Sequence, residues 1–135
     1  MKPKSMDLVW IVVNDVKKAV EFYTQTVGLQ LKEFHEEYGW AELEGHHGGA
    51  RIGLAQCQIK SVGDVLPGQN GIMTFTVDNL QNALSNLQKK NAKLIGPVQE
   101  IPGHVKMQMV ADADGNRFQI VEVCHQKAHQ CCSGH

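Results

Sequence analysis
The hydrophobic pattern of this chain changes period several times, and the changes come in the same order twice. Residues 7–13 are nearly all apolar and β-branched or aromatic, the pattern of a buried strand. Asn14 and Asp15 then offer side-chain acceptors to a helix N-terminus. Val16, Ala19, Val20 and Tyr23 recur at i, i+3, i+4 and i+7, one apolar helix face, and Gly28 supplies the left-handed residue that ends it. Three strand-like runs follow at 29–37, 40–45 and 51–56, joined by Tyr38-Gly39 and by the loop 45–49. Residues 57–70, with Pro67-Gly68, read as a linker.

The same order then starts again. Residues 71–77 form a strand, Asp78 and Asn79 cap a helix, and Leu80, Ala83, Leu84 and Leu87 repeat the apolar face. Asn91 stands where Gly28 stood. Strands follow at 93–96, continuing irregularly to Glu100, at 105–111 and at 117–123, the last fed by a tight polar turn at 112–116. Val13-Asn14-Asp15-Val16 and Val77-Asp78-Asn79-Leu80 thus hold equivalent places about 64 residues apart. Generic αβ units also match by chance, but duplication accounts for the shared order. It predicts an α+β fold in one domain: two tandem β-α-β-β-β modules, 7–56 and 71–123, forming a curved, barrel-like mixed sheet with helices outside. One module leaves a sheet face open, and a second copy would close it into a cleft.

Composition narrows the function more than the fold. A formal net charge of −1 and no basic run interleaved with aromatics leave no case for nucleic acid. No apolar run approaches the ~20 residues of a membrane span and the N-terminus lacks a signal-like apolar region, so no membrane partner and a cytoplasmic location are expected. Cys57 stands alone while Cys124, Cys131 and Cys132 crowd the end of the chain, which is not a disulfide scaffold.

The phrases Asn-Asp-Val-Lys-Lys-Ala-Val-Glu-Phe-Tyr … Val-Gly-Leu after the first strand and Asp-Ala-Asp-Gly-Asn-Arg-Phe-Gln-Ile-Val-Glu near the end, set in a paired β-α-β-β-β layout, resemble the vicinal oxygen chelate superfamily. That group includes glyoxalase I, bleomycin-resistance proteins, fosfomycin-resistance enzymes and extradiol dioxygenases. The resemblance covers residues 7–123 and implies the fold; the superfamily hosts several chemistries, so it implies much less about activity. Metal-dependent members hold a divalent ion with His, Glu or Gln from the first and last strands of the modules. Carried over, those positions fall on Leu8, Gly53, Ile72 and Gln119. The first three have no donor atom, and one amide oxygen does not hold a transition metal. No cofactor is therefore expected at the usual cleft site.

Strand alternation turns Leu8, Trp10 and Val12, with Ile72, Thr74 and Thr76, toward the cleft, and adds Arg51, Gly53 and Ala55, and Arg117, Gln119 and Val121. Trp10, Arg51, Thr74, Thr76, Arg117 and Gln119 are the candidate contacts for a small organic molecule, with Gln119 and Thr74 orienting it. Each has a plainer reading: Trp10 as core, the arginines as partners of nearby carboxylates, Gln119 as a satisfier of buried backbone. Glu33, Glu36, Glu37, Glu42 and Glu44, with Tyr38 and Trp40, would make either a negative aromatic groove for a cation or an exposed strand face.

The tail 124–135 departs from the superfamily pattern. His129, Cys131, Cys132 and His135 are candidate ligands for a soft or borderline ion, zinc or copper, though the spacing matches no standard zinc finger. Three functions stay open: a metal-free small-molecule binder; a glyoxalase- or lyase-type enzyme with a displaced metal drawn from His46, His47, His104 or the tail; and a metal or metalloid responder acting through the tail. The resemblance also implies a homodimer.

Overall fold
A computed structural model of the chain describes residues 1, 2, 4, 6–57 and 65–123. The elements run β1 (Leu8–Val13), α1 (Val16–Glu21) with a π-helical turn (Phe22–Thr26), β2 (Gln30–His35), a 3-10 turn (Glu36–Tyr38), β3 (Trp40–Gly45), β4 (Gly48–Gln56), β5 (Met73–Thr76), α2 (Leu80–Lys89), β6 (Lys93–Ile101), β7 (Val105–Ala111) and β8 (Arg117–Val123). The fold is α+β, and each half follows the β-α-β-β-β order. The strands form two four-stranded mixed sheets, β1-β4-β3-β2 and β5-β8-β7-β6. The described residues divide into two compact units, those of 1–71 with 113–116, and those of 72–112 with 117–123.

In the first unit, β1 pairs in parallel with β4, placing Val13 beside Gln56. Ile11, Val13, Leu54, Leu43 and Ala41 turn to one face and are fully buried, together with Val16 and Tyr23 of the helical segment. Asp15 is the N-cap, accepting from the backbone N–H of Lys17 and Lys18. Asn14 does not share that role: its Nδ2 donates to Asp114 Oδ1 (2.6 Å) and its backbone N–H to Asp114 Oδ2 (3.0 Å). The outer edge of β1 is closed by two more amides. Asn70 donates to Trp10 O (2.7 Å), and buried Asn116 donates to Val12 O (2.9 Å) while accepting from Gly68 N–H (2.9 Å). These bonds occupy two carbonyls of an edge strand that would otherwise be left unpaired.

The second unit repeats the plan. Asn79 caps α2 by accepting from Asn82 N–H, and Asn91 takes the left-handed conformation (φ 62°) that Gly28 (φ 95°) takes after α1. Phe118, Val110, Ile120, Met73, Leu80, Leu84 and Leu87 form the core, with Phe75 edge-on to Phe118 at 5.6 Å. Buried Gln108 donates to the carbonyls of Ile95 and Gly96, where the β6–β7 register shifts. β5 is shorter than the run 71–77, because Gly71 (φ 73°) leaves the extended region just before it. Conversely, β4 reaches back to Gly48, so the loop 45–49 contracts to a tight hairpin at His46-His47 with Gly45 paired to Gly48.

Both modules share a device that periodicity does not reveal. The last strand of each sends a side chain to the first N–H of its helix: Gln56 Oε1 accepts from Val16 N (3.1 Å), and Glu122 Oε1 accepts from Leu80 N (2.8 Å). These amides lack intrahelical partners, and a carboxylate there also favours the helix dipole. Gln56→Ala and Glu122→Ala should each lower stability by about 1–2 kcal/mol, with Glu122→Gln losing less than Glu122→Ala. Chemical denaturation checks this; no loss in either alanine variant would refute the shared closure.

Candidate functional site
The face of the first sheet opposite α1 is built in rows by strand register. One row holds Trp10, Gly53, Glu42 and Glu33, and the next holds Val12, Ala55, Trp40 and His35. Trp10 and Trp40, both half-buried, pack with Cys57 and Val65 against buried Val12 and Ala55. Gly53 is the floor beneath this group. A Cβ there would lie 2.7 Å from Trp40 Cζ2, closer still to Trp40 Cη2, and 2.9 Å from Leu8 Cδ1. The absence of a side chain at Gly53 is what lets the indole lie across β4.

The polar end of this face is a charge network. Arg51 donates from Nη1 to Glu42 Oε1 (2.9 Å) and Glu33 Oε2 (3.0 Å), and from Nε to Glu44 Oε2 (3.0 Å). Trp40 Nε1–H donates to Glu42 Oε2 at 3.0 Å, so the indole is tied to the same carboxylate as the guanidinium. Arg51 and then Trp40 hold the Glu42 carboxyl below its usual value of 4.5, and Glu42, Glu44 and Glu33 raise the Arg51 guanidinium above its own. Three carboxylates around one guanidinium leave the cluster negative.

On the second sheet, the face opposite α2 has a different character. Lys93, Ala111 and Arg117 form one row; Ile95, Met109, Gln119 and Thr74 the next; Gln99, Met107, Val121 and Thr76 the third. Gln119 Nε2 donates to Met107 Sδ at 3.2 Å. Thr74, Thr76 and Arg117 are exposed, and among the described residues Arg117 forms no ion pair.

The structure therefore groups Trp10 and Arg51 in the first unit and Thr74, Thr76, Arg117 and Gln119 in the second. Arg51 is committed to three glutamates. The acidic set divides: Glu33, Glu42 and Glu44 share the Arg51 network, while Glu36 and Glu37 sit exposed in the 3-10 turn. Trp40 emerges as the better-fixed indole, and Met107 and Met109, whose alternation with buried Gln108 was the available signal, line the second face. Of the positions at which the resemblance led us to expect metal ligands, Leu8, Gly53 and Ile72 carry no side-chain donor atom, and Gln119 Nε2 donates to Met107 Sδ. His46 Nε2 lies 2.7 Å from Gly28 O and its Nδ1 3.2 Å from Gln30 Nε2. Among the described residues, no group of three or more His, Cys, Asp or Glu is placed to share a metal. His129, Cys131, Cys132 and His135 lie outside the described residues.

Gly53→Ala should push Trp40 off β4 and part it from Glu42, costing about 1–3 kcal/mol. A changed near-ultraviolet tryptophan circular dichroism signal checks this, and an unaltered spectrum would contradict the packing. Because the Glu42 pKa is depressed in the folded state, its contribution to stability is complete above pH 4.5 and fades as pH falls through its lowered value. Denaturation midpoints across that range should fall on acidification, and less steeply in Glu42→Gln.

The sequence model described as the Glyoxalase/Bleomycin resistance protein/Dioxygenase superfamily matches residues 5–120. No protein with a curated description matches significantly. Among solved structures, a member of the same superfamily from Sphaerobacter thermophilus is similar at a TM-score of 0.76 and 19% identity, over 89% of this chain and 98% of that one. TnmS3, an antibiotic binding protein from a Streptomyces species, is similar at 0.75 and 22%, over 91% and 98%. An integron cassette protein from the V. cholerae mobile metagenome follows at 0.71 and 21%, over 90% and 97%. No helix among the described residues is long and apolar enough to cross a membrane. The chain belongs to the glyoxalase/bleomycin resistance protein/dioxygenase superfamily.

Proposed function
We propose that this chain binds a small organic molecule with an extended aromatic surface and uses no metal at the superfamily's usual position. The observation that carries the reading is the pair of half-buried indoles, Trp10 and Trp40, on the sheet face where Gly53 stands in place of a ligating carboxylate. Flat, polarizable side chains fixed beside small apolar ones favour stacking over chemistry. Trp40 is held in place by Gly53 below and Glu42 at its N–H, so little of its freedom remains to be lost on binding. The similarity to an antibiotic binding protein supports this class of ligand.

The two tryptophans are the chain's whole indole complement, so fluorescence reports directly on this face. Titration with a panel of polycyclic and glycopeptide antibiotics should give saturable quenching by at least one compound, unaffected by chelator. Trp40→Phe should weaken it about 2- to 10-fold, the range that corresponds to about 0.5–1.5 kcal/mol of aromatic contact. The reading fails if no compound saturates and the protein instead turns over methylglyoxal with glutathione in a metal-dependent way. Zinc or copper that copurifies and is lost on removing residues 124–135 would favour the tail as the functional part.

A further inference from the structure
We infer that the face of the second sheet opposite α2 recognises the oxyanion of an aromatic acid. This rests on the reading above only in taking the ligand to be a small organic molecule.

Hydrogen-bonding capacity is left over on that face. Gln119 carries two N–H donors and a carbonyl acceptor, yet its one bond among the described residues is to a thioether, Met107 Sδ, at 3.2 Å. A thioether is a weak acceptor, so an oxygen acceptor offered to the same amide would be preferred. Thr74, directly beside Gln119 in the β5–β8 register, has a hydroxyl with no partner among the described residues. Arg117 lies two residues before Gln119 on the same side of β8, exposed and without an ion pair among the described residues, and Lys93 stands in its row. An amide N–H, a hydroxyl and a guanidinium along one edge make a receptor for a charged oxygen.

Next to that edge the surface is soft and apolar. Met109, Met107, Ile95 and Val121 fill the neighbouring positions. Methionine thioethers pack favourably against aromatic rings. Within this face the fixed charges are positive, Arg117 and Lys93. A ring on the methionines with its carboxylate toward Arg117 and Gln119 satisfies every group named; a cationic or neutral aromatic leaves the guanidinium unused.

The test uses naphthoate, its neutral amide naphthamide and the cation naphthylmethylammonium on the full chain with methyl-labelled methionine. Of the five methionines, Met107 and Met109 lie on this face and Met73 is buried on the other side of the sheet, a built-in control. Naphthoate should shift the Met107 and Met109 signals and leave Met73 in place. It should bind about 2- to 5-fold more tightly than naphthamide, with Arg117→Gln abolishing that preference but not the binding of naphthamide. Gln119→Glu, which places a carboxylate at the centre of the receptor, should weaken naphthoate further and favour the cation. The inference is overturned if the three probes bind equally, if the cation binds best to the unaltered chain, if Met107 and Met109 do not move, or if no probe binds. A ligand found by tryptophan quenching would survive any of these results, so failure here leaves the stacking face standing.

Discussion
Each module depends on the joining of its first strand to its last. The two are remote in sequence, parallel, and separated by a helix and two further strands, so their pairing encloses everything between them. Parallel neighbours need such a crossover. What completes the closure is local: Val13 O accepts from Cys57 N–H and Val121 O from Val77 N–H, each at 2.8 Å, and Gln56 and Glu122 reach from the last strand to the opening N–H of the helix. Asp15 and Asn79 cap their helices locally, whereas the acceptor for the first helical N–H is in position only when the last strand is in register.

That coupling explains which parts of the fold were legible. The strand and helix periods, the equivalence of the two phrases around Asp15 and Asn79, and the left-handed ends at Gly28 and Asn91 are all set by neighbours a few residues away. They can be read from residue type alone. Asn14 shows the limit. As a residue type it suits a helix cap as well as Asp15 does, but its amide is engaged by Asp114, a partner 100 positions along the chain. Asn70 and Asn116 are similar: in sequence they are turn residues, whereas in the fold they occupy the carbonyls of β1's outer edge. Polar side chains with long-range partners look identical to polar side chains in turns.

The candidate site was legible to the same depth. Alternation gave the sheet face on which Trp10, Arg51, Thr74, Thr76, Arg117 and Gln119 lie, because period two is a local property. It did not show what each charged group had already found. Arg51 was a candidate ligand contact by position, yet three glutamates from two neighbouring strands surround it. Arg117, equal to it by sequence criteria, has no such partners among the described residues. The difference lies in cross-strand register, which brings Glu33 and Glu42 into one row with Gly53, beside Arg51 on β4. An acidic run that reads as an exposed face is in part a counter-charge.

Gly53 brings these threads together. It carries no side chain, and the space is taken by the ring of Trp40, whose N–H meets Glu42 and through it Arg51. Placing a carboxylate at that position would therefore do more than add a donor atom. It would collide with the indole and part its N–H from Glu42. The missing side chain at Gly53, the indole lying across it and the hydrogen bond to Glu42 are thus physically linked.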